Sequence, residues 1–218
     1  MAGICYIGFN AACNFCGVVR RMAGEKDAIL AKLGIATLWN ADLARGGLPP
    51  RLATLKTQLT VVKNFKGALE LGEKIPNTFY MVLNWGARRF SILDGIGFVA
   101  SIFNSISDAA EFVAPCISAA YVNTAKAVGN VATQIGMSLL FVKDARAAFK
   151  AYQRREYSKM SACLLDVVRD VSYCSLASIS QIERVLGKKV PVWVPCALYT
   201  AGVASTALAF CQRNWGRS

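Results

Sequence analysis

The stretch VPVWVPCALYTAGVASTALAFC, residues 190–211, runs for 22 residues without a charged side chain, between Lys188-Lys189 on one side and Arg213 on the other. About 20 predominantly apolar residues suffice for a helix to cross a bilayer, so the stretch predicts a C-terminal membrane-spanning helix. Pro191 and Pro195 fall near its start. Ala201, Gly202, Ala204, Ser205 and Ala207 are small enough for close packing against another membrane helix. Trp193 and Trp215 stand near the two ends, where amphipathic rings anchor at an interface. The competing reading is a buried helix of a water-soluble bundle.

Composition favours lipid. Of 218 residues, 55% are hydrophobic and 17% charged, with a mean hydropathy of +0.38; an average soluble domain is about 25% charged. The net charge of +12 calls for an anionic partner, either nucleic acid or lipid headgroups. A nucleic-acid binder sets basic patches on a polar surface, whereas this chain pairs its Lys and Arg with long uncharged runs. An anionic phospholipid membrane is therefore the expected partner, and nucleic acid is not.

The chain contains no histidine. That excludes Ser-His-Asp and Cys-His nucleophiles and every imidazole-ligated metal site. No constellation of the remaining residues supports a reaction, so no catalytic residue, metal or cofactor is expected. The eight cysteines lie largely in apolar runs, where a free thiol behaves as a small hydrophobe. Cys13-Asn14-Phe15-Cys16 is a lone C-x-x-C and a weak redox or metal signal.

Helical spacing of apolar residues recurs from Ala28 to the C-terminus, with joints predicted at Gly46-Gly47-Leu48-Pro49-Pro50, Ile75-Pro76-Asn77 and Gly187-Lys188-Lys189-Val190-Pro191. After Pro50, Leu52, Leu55, Leu59, Val62, Phe65 and Leu69 recur at spacings of three and four and form one apolar stripe. Lys56, Lys63 and Lys66 flank it, where stems lie on apolar surface and ammonium groups reach phosphates. The stripe is thus expected to insert into a leaflet with the three lysines at headgroup level; a core-facing helix with solvated lysines explains the same spacing. Between residues 92 and 142 Asp94, Asp108, Glu111 and Lys126 interrupt an otherwise apolar run. Residues 127–142 fit a short tilted span, a re-entrant segment or a surface helix. Any immersed acid there has to face a partner inside the bundle. Residues 143–159 carry Lys143, Arg146, Lys150, Arg154, Arg155 and Lys159 against Asp144 and Glu156, either a headgroup-contacting face or a solvated helix surface. Positive charge places this segment in the cytosol, while a two-span reading with both termini cytosolic places it in a lumen.

Several of these segments together resemble the eleventh-peroxin family of peroxisomal and glycosomal membrane proteins, across most of residues 24–215. Gly24-Glu25-Lys26-Asp27 followed by AILAKLG is similar to the family's early Gly-Arg-Asp-Lys segment, and FKGALELGEKI, residues 65–75, to its "LRLGK" segment. LNWGARRFSILDGIGFV, residues 83–99, resembles the central segment, and LLDVVRDVSYCSL, residues 164–176, with the apolar segment ending at Trp215, resembles the C-terminal region. Glu25, Ala28, Glu70 and Glu73 stand where the family often has Arg or Lys. The resemblance implies location in the peroxisomal or glycosomal membrane, membrane elongation during proliferation, homo-oligomers and contact with organelle-fission factors.

The expected fold is all-α, a membrane-associated helical bundle with amphipathic helices and a C-terminal membrane-spanning helix. Its expected parts are an N-terminal amphipathic region (1–90), an apolar membrane-associated region (91–142), a basic helical region (143–189) and the spanning helix with a short tail (190–218). Two other readings stand beside it. A secreted bacterial protein embedded in a host vacuole membrane normally shows two apolar lobes joined by a tight turn, and here nearly fifty residues part them. A soluble helical scaffold or enzyme is the third.

Overall fold

The computed structural model describes residues 25–83 and 92–215. Among these, six α-helices carry the fold: α1 (Glu25–Arg45), α2 (Pro50–Leu83), α3 (Ile92–Phe112), α4 (Ala119–Gln153), α5 (Tyr157–Leu186) and α6 (Trp193–Trp215). A short 3-10 turn at Ala114–Cys116 precedes α4. The pair Cys13 and Cys16 lies outside the described residues, as do the side chains of Asp94 and Trp215.

Two of the predicted joints are real. Gly46 and Gly47 both take positive φ between α1 and α2, and Pro50 opens α2 at a position where a helix needs no N–H. Gly187 ends α5 in the left-handed conformation, φ 64°, with its N–H donating to the Glu183 carbonyl. The joint predicted at Ile75-Pro76-Asn77 is absent, because α2 runs unbroken through Pro76 to Leu83. A proline removes one backbone donor from a helix, and α2 continues helical past that loss. Likewise α4 passes without interruption from apolar residues 127–142 into the basic stretch, so the expected boundary at 142 is a change of composition within one helix. The C-terminal helix starts at Trp193, leaving Val190-Pro191-Val192 in the connection.

Each helix packs on the next, and α1 closes on α6. The contacts run antiparallel throughout. Lys56 of α2 pairs with Asp42 of α1, Asn64 of α2 with Glu111 of α3, Thr133 of α4 with Asn104 of α3, and Gln134 of α4 with Ser178 of α5. Gln212 of α6 meets Ser161 of α5, and Asn40 of α1 meets Thr200 of α6. The result is an up-and-down ring of helices with short connections.

Small residues set the spacing. A Cβ on Gly67 would overlap the Asp108 side chain, and one on Gly129 would overlap Ser107, so α3 sits against both neighbours at backbone range. Gly202 of α6 lies tightly under Ser172 and Tyr173 of α5. The core reflects this. Its buried apolar positions are mostly Ala, and the bulkiest fully buried side chains are Val203, Asp170, Cys196 and Ser105. Gly67→Ala and Gly129→Ala should each destabilise the purified protein by about 1–3 kcal/mol through forced separation of helices. Gly97→Ala meets only Leu139, at 3.9 Å, and should be neutral or stabilising by up to about 1 kcal/mol. Thermal unfolding of the three variants in detergent checks the contrast.

Candidate membrane-facing surface and buried polar clusters

The outward faces of the helices are apolar. Ile96, Val99, Phe103 and Ile106 on α3, Val128, Val131, Ile135 and Phe141 on α4, and Leu164, Val168, Val171 and Ile182 on α5 are all exposed. Two helices, α4 and α6, are long and apolar enough to cross a membrane, and the most apolar stretch of each is only 11% and 28% buried. A core helix of a water-soluble protein would be mostly buried. Contiguous exposed apolar surface of this kind marks contact with another apolar phase. Between α3 and α4 it deepens into a groove of about 560 Å³, floored by Gly95, Ala100 and Ala132 and walled by Val99, Phe103 and Val131.

The helix interfaces also hold polar and charged side chains. Lys63 reaches Asp108 at 3.7 Å, and Lys126 of α4 reaches Glu111 of α3 at 3.3 Å. The Lys74 ammonium donates to Ser105 Oγ at 3.0 Å and lies 3.3 Å from Glu70. The Lys32 ammonium stands 5.9 Å from the centre of the Tyr173 ring, which itself meets Tyr199 edge-on at 6.4 Å. Lone charges in such surroundings are costly, and the pairing offsets that cost.

The sequence-predicted stripe on α2 is divided by this arrangement. Leu55, Val62 and Phe65 are exposed, and Phe65 packs on Phe112 of α3 with ring centres 5.3 Å apart. Leu52 and Leu59 are half-buried, with Leu59 lying on α1 at Gly34, and Leu69 is buried. Of the lysines expected at headgroup level, two are engaged by acids of neighbouring helices. Lys56 pairs with Asp42 at 3.2 Å and covers the Trp39 ring, Lys63 holds Asp108, and Lys66 is half-buried. Acids on α1 and α3 thus engage the basic edge of α2. Six other basic side chains do stand outward: Lys143, Arg146, Lys150, Arg154, Arg155 and Lys159 are all exposed around the α4–α5 turn.

A second cluster, not anticipated from the sequence, joins α4, α5 and α6. Arg169 of α5 donates to Asp170 Oδ1 from Nε (2.9 Å) and Nη2 (2.7 Å), to Asp166 Oδ1 from Nη1 (2.9 Å), and to Asp144 Oδ2 of α4 from Nη2 (3.3 Å). Arg213 of α6 donates to the other Asp166 oxygen. The local signal was legible, since Asp166, Arg169 and Asp170 are spaced three and four apart inside the apolar run LLDVVRDVSYCSL. Asp144 and Arg213 are brought in only by the fold. Among the described residues no group of Cys, Asp and Glu is placed to hold a metal ion.

No family model, no curated protein and no solved structure matches this chain.

Replacing Arg169 leaves three carboxylates facing Arg213 alone. Arg169→Leu should cost about 3–5 kcal/mol, the usual penalty for removing one partner from a buried ionic group. Exposed Arg154→Leu should change stability by less than about 0.5 kcal/mol. Chemical unfolding in detergent micelles measures both.

Proposed function

We propose that this chain is a non-enzymatic integral membrane protein whose helical ring is embedded in a bilayer through its apolar exterior. The observation that carries the reading is the apolar exterior: large apolar side chains stand outside, while Asp108, Asp166, Arg169 and Asp170 face other helices. Helix lengths agree with it. The 35 residues of α4 extend about 52 Å, enough for a hydrocarbon core of about 30 Å with a turn or more to spare. Its residues 119–142 hold Lys126 as their one charge, and the basic run begins at Lys143. The exposed basic side chains at that end would lie among anionic headgroups, each contributing about 1 kcal/mol. Each buried Leu, Val or Phe of the outer face contributes about 1.5–3 kcal/mol, so the apolar face dominates and the basic end tunes lipid preference.

On the resemblance to the eleventh-peroxin family, the membrane is peroxisomal or glycosomal and the activity is its elongation during proliferation, by many copies that crowd one leaflet and engage fission factors. Leu55, Val61, Val62 and Phe65 are exposed on α2 for such insertion.

The full-length protein should stay with membranes through alkaline extraction and should draw anionic liposomes into tubules as its density rises. Val62→Asp with Phe65→Asp should abolish tubulation. Neutralising Lys143, Lys150 and Arg154 to Gln should weaken it and shift its salt dependence. Recovery as a soluble monomer without detergent overturns the embedding. Stable incorporation with spherical vesicles at every density overturns elongation alone.

A further inference from the structure

The Arg169 cluster does not balance. It holds three carboxylates, Asp144, Asp166 and Asp170, against two guanidinium groups, Arg169 and Arg213. With every group ionised it carries one excess negative charge. The excess falls on a particular oxygen. Both Arg169 bonds to Asp170 land on Oδ1, and Asp170 Oδ2 has no hydrogen-bond partner among the described residues. The residue is 0% exposed, so water does not reach that oxygen. Asp166, by contrast, has one guanidinium on each oxygen, and Asp144 is partly exposed. An isolated buried carboxylate costs far more than a buried carboxylic acid, and such groups take up a proton.

We propose that Asp170 is a proton-binding site that controls how firmly α5 is held between α4 and α6. With Oδ2 protonated the cluster is neutral. Arg169 then bridges Asp144 on α4 to Asp166 on α5, and Asp166 holds Arg213 on α6. When the proton leaves, a third full carboxylate competes for Arg169, and the junction relaxes until water or a cation reaches Asp170. The charged groups facing Asp170 are Asp144 from α4, Arg213 through Asp166 from α6, and Asp166 and Arg169 on its own helix. The inference requires only that the cluster be shut off from water, so it stands whether or not the membrane reading does.

The sign follows from linkage. A carboxyl that keeps its proton in the folded chain and loses it in the unfolded chain makes the folded state richer in protons, so stability falls as pH rises. The melting temperature of the full chain in non-ionic detergent should therefore drop between about pH 4 and about pH 7. Asp170→Asn, which fixes the neutral state, should flatten that dependence and hold the acid-side value at neutral pH. Asp166→Asn strips a charged partner from both arginines and should lower stability at every pH. Infrared difference spectra of the folded wild-type chain should show a protonated carboxyl band at about pH 5 that fades towards neutral pH and is missing from Asp170→Asn. A wild-type profile unchanged by Asp170→Asn, or a spectrum at about pH 5 without that band, overturns the proposal.

Discussion

Polar pairing between neighbouring helices is the constraint on which the rest of the bundle depends. Each of the six contacts around the ring carries at least one side-chain hydrogen bond or ion pair, from Lys56–Asp42 between α1 and α2 to Asn40–Thr200 between α1 and α6. Such bonds contribute little individually, on average about 0.6 kcal/mol between helices in a membrane. Their larger effect is directional. Once Lys63, Asn64 and Lys74 have partners on α3, the opposite face of α2 is committed to the outside, and the same holds for α5 once Arg169 is engaged. Small residues are the second half of the constraint. Gly67, Gly129 and Gly202 let backbones approach closely enough for short side chains such as Asp108, Ser107 and Ser172 to fill the interfaces. Many of the large apolar groups then stand on the exterior.

This explains which parts of the architecture could be read from the sequence. Glycine punctuation announced the turns at Gly46-Gly47 and Gly187, because positive φ there demands a residue without a Cβ. Pro76 is a misleading signal, since a proline marks one lost donor and α2 stays helical through it. The apolar period on α2 was correctly seen, but a period identifies a stripe without saying which side of the helix faces inward. Leu59 and Leu69 went in while Val62 and Phe65 went out. What divided them was the position of Asp42 and Asp108, acids on other helices that no local pattern could place.

The same limit applies to the Arg169 cluster. Asp166, Arg169 and Asp170 announce a charged group within an apolar helix, and sequence alone makes them look like a closed local set. Asp144 arrives from 25 residues away and Arg213 binds Asp166 from 47 residues away. Only this assembly reveals that one carboxylate is left over. It also accounts for α5, whose average polarity conceals an outer face of Leu164, Val168, Val171 and Ile182.

The central claim is that this outer face meets lipid and not water. Spin labels placed one at a time at Val99, Val131 and Val168 in the full chain reconstituted into liposomes test it most directly. The account predicts fast relaxation by oxygen dissolved in the hydrocarbon and protection from a water-soluble nickel chelate at all three sites. Strong relaxation by the chelate with little effect of oxygen would contradict it.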